Sequence, residues 1–184
     1  MDSRVRTGRK EGIMLDDARA FALAAHGSQR YGDLPYSHHL DEVVALLSPY
    51  GREAQVIGYL HDVLEDTEVT DLDIRKRFGQ LVADCVSLLT DLSGANRAER
   101  KRKTYARLTT VTGPTELALV VKAADRLANV RSCVRDDRRG LMIVYRSEHA
   151  CFKRSAYRAG LCDPFWLELD GLLAVTPAAA PDHS

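Results

Sequence analysis

The sequence predicts a single all-α domain, and three observations carry the prediction. Apolar residues recur three and four positions apart in segment after segment, the spacing of one helix face. No stretch alternates apolar and polar residues as a half-buried strand does. The 184 residues match the size of one domain, with no internal repeat and no long linker.

The elements follow in order. Met14, Ala18, Phe21, Ala22 and Ala25 mark a first helix, and the polar, glycine-bearing stretch GSQRYGDLPYS reads as a loop. Val43, Val44, Leu46 and Leu47 mark a second helix that stops at Pro49-Tyr50-Gly51. A third is expected from near Arg52 to near Thr67. Thr70 with Asp73 three residues later has the form of a capping pair for a short helix ending at Phe78-Gly79. Leu81, Val82, Cys85, Val86, Leu88 and Leu89 give another amphipathic segment, and NRAERKRKTYARLT (residues 96–109) a highly charged helix. Pro114 is placed to open a helix through ELALVVKAADRLANVRS. A further helix spans about 140–156, and Asp163-Pro164 looks like the start of a last one through Leu173. Phe165, Trp166 and Leu169 are expected in the core. Residues 1–12 read as a flexible N-terminus, 13–175 as the folded domain and 176–184 as a disordered tail.

Composition narrows the class. A chain this long buries roughly 70% of its unfolded surface, so it needs neither disulfides nor a structural metal to fold. The 26 basic and 26 acidic residues cancel, so no global field favours nucleic acid or an anionic membrane. Cys85, Cys133, Cys151 and Cys162 have neither C-x-x-C nor zinc-finger spacing and read as reduced thiols. The polar start MDSRVRTGRKEG lacks the apolar stretch of a signal peptide, and no run has the length of a membrane span. The expected location is the cytoplasm.

The stretch GYLHDVLEDTEVT (58–70) sets His61 beside Asp62 and places Glu65 and Asp66 one turn later. Gly58, Leu60, Val63 and Leu64 cover the other side, which tilts the polar face into a cavity. Burying three carboxylates together is costly without a positive partner, and a divalent cation is the simplest one. Imidazole and carboxylate donors suit manganese, iron or zinc better than magnesium. A solvated acidic helix end is the competing reading of this stretch alone. Two other segments add weight. PYSHHL starts a helix with His38 and His39, either of which can serve as a ligand or as an exposed cap. VKAADRLANV sets Asp125 and Asn129 four apart in an apolar helix, where the aspartate needs a partner, Arg126 or a metal. His26 and His149 read as structural. Of the cationic run Arg97, Arg100, Lys101, Arg102 and Lys103, most is a solvated helix face.

Taken together, AHGSQRYGDLPYSHHLDEVV, GYLHDVLEDTEVT and VKAADRLANVRS resemble the HD-domain phosphohydrolases. More narrowly they resemble the alarmone hydrolases: the hydrolase half of RelA/SpoT-type proteins and the small free-standing alarmone hydrolases. The similar stretches lie within about residues 20–135. A lone HD pair is unspecific; the set H…HD-x-x-ED…D-x-x-x-N, with Pro-Tyr four and three residues before the first histidine, is specific.

The resemblance implies an HD-type helical fold and a mononuclear site, usually manganese, held by His39, His61, Asp62 and Asp125. It selects His39 over His38 by its distance from Pro35. It implies that Glu65 and Asp66 are the catalytic acidic pair beside the attacking water, that Asn129 lies near the ribose, and that Ser132 contacts the nucleotide. Arg30 is the candidate for stacking on the base. At that point the chain departs from the family: Q-R-Y-G-D-L-P-Y is one residue shorter than the family's Q-x-R-K-x-G-x-P-Y and has no lysine. Tyr31 is therefore a second candidate for stacking, and guanine or adenine preference stays open. Arg97 and Lys101 are the candidates for the far phosphates.

The reaction so implied removes the 3′-pyrophosphate of (p)ppGpp and/or (p)ppApp, releasing pyrophosphate and GDP, GTP or their adenine equivalents. The partner is a small-molecule alarmone nucleotide, with no nucleic acid and no membrane; oligomeric state is open. A synthetase, ACT or TGS domain does not fit in the remaining residues, so a stand-alone degrader is expected. An HD phosphohydrolase acting on another nucleotide and a non-catalytic regulatory HD module are the alternatives.

Overall fold

The computed structural model describes residues 3–174, with side chains from residue 14. The proposed tail at 176–184 lies outside the described residues. Helix α1 (Ser3–His26) leads into a hairpin of β1 (Arg30–Tyr31) and β2 (Leu34–Pro35), then α2 (Tyr36–Leu47) and a 3₁₀ turn at Ser48–Tyr50. Next come α3 (Arg52–Leu60), α4 (Val63–Asp66), α5 (Asp71–Phe78), α6 (Gln80–Leu89) and α7 (Arg97–Leu108). A 3₁₀ turn at Gly113–Glu116 opens α8 (Leu117–Arg135), followed by α9 (Arg139–Ala156) and α10 (Asp163–Leu173). The all-α class predicted from periodicity is what the chain adopts.

Helix α8 is the axis of the molecule. It packs against α2, α3, α6, α9 and α10 and is buried along most of its length, as a central helix must be. Leu119, Val121, Ala123, Ala124, Leu127 and Val130 are buried completely, and a fully buried Leu or Val adds about 1.5–3 kcal/mol. Phe165, Trp166 and Leu169 of α10 close the far side of this core, as the sequence leads one to expect. The four cysteines are free, three of them buried.

Helices α2 and α3 meet closely because Gly58 lies between them. A Cβ there would sit 2.5 Å from Leu47 Cδ1 and 3.2 Å from Val44 Cγ2. Thr70 and Asp73 form the capping box at the start of α5, each side chain bonded to the other's backbone N–H.

Three expectations need correction. The helix expected from Arg52 to Thr67 is two helices, broken at His61–Asp62. The loop after α1 contains the two-stranded hairpin, with Arg30 opposite Pro35 and Tyr31 opposite Leu34; strands of two residues are too short to show a period of two. Helix α1 starts at Ser3, well before the first periodic residue, Met14.

Candidate metal centre

The break in the third predicted helix builds the site. Neighbouring residues on a continuous helix point about 100° apart. Here α3 ends at Leu60, Asp62 has φ −108° and ψ −3°, and a new turn begins at Val63. His61 Nε2 and Asp62 Oδ2 consequently face one another at 2.9 Å. The Asp66 N–H still reaches Asp62 O at 3.0 Å, which sets Glu65 and Asp66 one turn beyond the pair.

The other donors come from α2 and α8. His39, His61 and Asp62 each offer an atom within 4.8 Å of the others. Asp125 Oδ1 lies 3.4 Å from His39 Nε2 and 3.7 Å from His61 Nε2. His38 sits outside the cluster, half-exposed, with its Nδ1 3.7 Å from Glu42.

The donor chemistry fits a cation. Gly58 O lies 2.7 Å from His61 Nδ1 and can only accept, so Nδ1 carries the proton. In the neutral imidazole, Nε2 then turns a lone pair toward two carboxylates, and this buried atom has no hydrogen-bond partner. Facing lone pairs in a buried space need a positive charge between them. Without such a cation the demand for positive charge falls on the imidazole itself. Burial opposes charge on His61, yet Asp62 and Asp125 outweigh it and hold the imidazole well above its usual range. Burial alone would raise both aspartates. The His61 imidazole holds Asp62 low, and His39 with His61 holds Asp125 far below the carboxylate range. His39, His61, Asp62 and Asp125 are the residues that could hold a divalent ion.

A second ring of side chains orients these donors. The Tyr36 hydroxyl donates to Asp62 Oδ2; burial and the Asp62 charge keep that phenol protonated. Asn129 Nδ2 donates to Asp125 Oδ1 at 2.5 Å, and its own Oδ1 accepts from Tyr31 at 2.8 Å. Tyr31 stacks on His39 with ring centroids 4.7 Å apart. Arg138 approaches the Tyr31 ring at 5.8 Å. Gly32, at φ +61°, makes room for Arg138, whose Nη2 would lie 2.1 Å from a Cβ there.

The remaining sequence candidates are placed as follows. Glu65 is exposed and accepts the Asp91 N–H at 3.0 Å; Asp66 is exposed and accepts from Gln29 Nε2 at 2.8 Å. Arg30 is not brought to the cluster: it is exposed and donates to the Asp33 carbonyl of its own hairpin. Ser132 is fully buried and donates to Asp136 at 3.1 Å. Lys101 pairs with Asp91 at 2.8 Å, and Arg97 with Glu148 at 2.7 Å. Both line a groove of about 570 Å³ between α7 and α9, with Arg102, Tyr105 and Arg154.

Sequence reasoning missed several partners. Arg126, one residue past Asp125, is buried between the rings of Tyr145 and Phe152 at 4.6 and 4.7 Å. It donates to Glu148 at 3.1 Å and to Tyr105 Oη at 3.0 Å. Arg126 therefore joins α7 and α9 rather than neutralising Asp125. Tyr36 and Gln29 were legible only as the last and first residues of the Q-R-Y-G-D-L-P-Y stretch, with nothing there to show which groups they would hold.

A helical core that gathers histidines and aspartates from three separate helices around one point is the arrangement of an HD domain. The family model described as HD domain matches residues 18–161, and the chain belongs to that family. Among curated proteins, a guanosine-3′,5′-bis(diphosphate) 3′-pyrophosphohydrolase of Aquifex aeolicus is 32% identical over 121 residues, covering 64% of this chain. The chain spans only 17% of that protein's length, and 18% of the GTP pyrophosphokinase rsh of Brucella ovis. The protein named guanosine-3′,5′-bis(diphosphate) 3′-pyrophosphohydrolase MESH1 from Danio rerio is 35% identical over 118 residues, 60% of this chain and 64% of its own. A solved structure of a metazoan ortholog of SpoT, described as hydrolysing ppGpp, superposes with a TM-score of 0.69 at 23% identity. It covers 86% of this chain and 93% of that one, a likeness of fold. A Listeria monocytogenes protein superposes with a TM-score of 0.62 at 29% identity, over 76% of this chain and 95% of that one. Among the described residues, no helix is long and apolar enough to cross a membrane.

Proposed function

We propose that this protein is a metal-dependent pyrophosphohydrolase that removes the 3′-pyrophosphate of the alarmones (p)ppGpp and/or (p)ppApp, with manganese as the cation. The observation that carries the reading is the convergence of His39, His61, Asp62 and Asp125 from α2, the α3–α4 break and α8, with Glu65 and Asp66 one turn further on. The printed activities of the Aquifex aeolicus and Danio rerio relatives support it.

His39, His61, Asp62 and Asp125 hold the ion. The chemistry supplied by a bound divalent cation is charge neutralisation at phosphoryl oxygens and a more acidic water. Glu65 and Asp66 orient the attacking water and take its proton. The water oxygen ends in pyrophosphate and the ribose 3′-oxygen leaves as the 3′-hydroxyl. Asn129 fixes the ribose against the site, a role supported by its bonds to Asp125 and Tyr31. Tyr31 offers the aromatic face for the base, and Arg30 would reach it only by leaving the Asp33 carbonyl. Ser132 would contact the nucleotide only by leaving Asp136, to which its hydroxyl donates. Lys101 and Arg97, already facing one groove, receive the distal phosphates. The partner is thus a small anionic nucleotide, and the balanced charge of the chain fits a cytoplasmic enzyme with no affinity for nucleic acid or anionic membrane.

The test is pyrophosphate release from ppGpp and from ppApp by purified protein with manganese, against Asp66→Ala. The proposal expects release from at least one of them and loss of turnover in the variant. Release from neither, with metal bound, would overturn it in favour of another nucleotide substrate or a non-catalytic module.

A further inference from the structure

Gln29 stands at the joint between α1 and the hairpin, and every polar group it carries is used. Its N–H donates to His26 O at 3.0 Å, and its carbonyl accepts the Tyr36 N–H at 3.0 Å. Its side chain is equally constrained. Gln29 Oε1 lies 2.8 Å from His26 Nδ1, and Gln29 Nε2 donates to Asp66 Oδ2 at 2.8 Å. The polarity of this chain of bonds is fixed. Asp66 can only accept when ionised, so the Gln29 amide presents NH₂ to Asp66 and oxygen to His26. His26 must then carry its proton on Nδ1. Its Nε2 is buried without a partner. The imidazole is buried and packed on the ring of Tyr36 at 4.5 Å, the same tyrosine that donates to Asp62. One rigid assembly thus touches a metal-site aspartate through Tyr36 and the exposed Asp66 through Gln29.

We infer that Gln29 is a positioning residue that aims the Asp66 carboxylate, and that His26 acts through Gln29 by fixing which way its amide faces. The inference rests on the reading of Asp66 as a carboxylate that orients the attacking water. An exposed aspartate at the end of a four-residue helix has free rotamers of its own. A bond from a side chain pinned at both backbone groups removes that freedom, and such orientation is worth large rate factors when the held group must meet a water and a phosphorus in line.

The experiment uses the full chain with manganese. Gln29→Met keeps the length and removes both side-chain bonds. Gln29→Glu keeps the acceptor for His26 but sets a carboxylate against Asp66, which a merely structural role would tolerate. His26→Phe keeps the stack on Tyr36 and removes the Nδ1–H. We expect kcat to fall about 10–100-fold in both Gln29 variants with KM and metal content unchanged. His26→Phe should lower kcat less, and should add nothing in the Gln29→Met background. The crystal structure of Gln29→Met should show the Asp66 carboxylate moved by about 1 Å or more. An Asp66 left in place in that crystal, or a kcat within about twofold of wild type, would overturn the inference; additive His26 and Gln29 effects would overturn the part assigned to His26. If wild type releases no pyrophosphate from either alarmone, the functional proposal fails separately, and the position of Asp66 in the Gln29→Met crystal still decides this one.

Discussion

His61 and Asp62 are adjacent in sequence and yet face each other at 2.9 Å across the same space, because the helix that carries them is broken between Leu60 and Val63. The break turns a sequence pair into two converging donors, and the carbonyl of Gly58, one turn earlier, fixes the His61 ring by accepting from Nδ1 at 2.7 Å.

Gly58 should therefore be intolerant of a side chain. The Cβ of Gly58→Ala would press on Leu47 and Val44, forcing α2 and α3 apart. Overpacking of this kind costs about 1–3 kcal/mol, only partly offset by the better helix propensity of alanine. A domain of this size then loses a few degrees of Tm, about 2–4 °C per kcal/mol, and turnover drops with the displaced His61. A variant as stable and active as wild type would show that the close approach of α2 and α3 is not needed.

Tyr36 should tune the metal site without being a ligand. Its hydroxyl donates to Asp62 Oδ2, and loss of such an outer-shell bond to a ligand lowers metal affinity about 10–100-fold. Titration of apo Tyr36→Phe with manganese should show that weakening while the far-ultraviolet circular dichroism stays unchanged. Equal affinity in the variant would remove Tyr36 from the account.

Glu148 links stability to pH. Burial pushes its carboxyl up, but the guanidinium groups of Arg97 and Arg126 outweigh burial and hold it below the ordinary range. A depressed folded-state pKa means stability that is present above the unfolded value, about 4.3, and is lost as pH falls through the folded value. Glu148→Gln should accordingly lower Tm at neutral pH, and the gap to wild type should close as the pH drops below about 4. A gap of constant size from neutral pH down to about 3 would contradict the ion-pair assignment.

Much of the helical frame was legible because amphipathic helices write their own period. Leu119 to Val130 of α8 and the Thr70–Asp73 capping box are local facts, and local facts survive in sequence. The break at His61–Asp62 was not legible, since neither glycine nor proline marks it; it is imposed by packing, with Leu60 and Val63 both fully buried on either side. The hairpin escaped because its strands hold two residues each. The pairs that shape the site rim are long-range: Tyr31 meets Asn129 98 residues away and Gln29 meets Asp66 across 37. Nothing in the order of residues announces such contacts. The candidates that geometry supports least, Arg30 and Ser132, were carried by resemblance at the very stretch where the chain is one residue short, or sit where a neighbour, Asp136, takes up the hydroxyl.

The most direct test of the central claim, that four side chains from α2, the α3–α4 break and α8 share one cation, is metal content by elemental analysis after manganese loading and desalting. The account predicts about one ion per chain in the wild type and in Asp66→Ala, and little in His39→Ala, His61→Ala or Asp125→Ala. A wild type that retains no ion, or His39→Ala and Asp125→Ala variants that hold it as tightly as wild type, would contradict it.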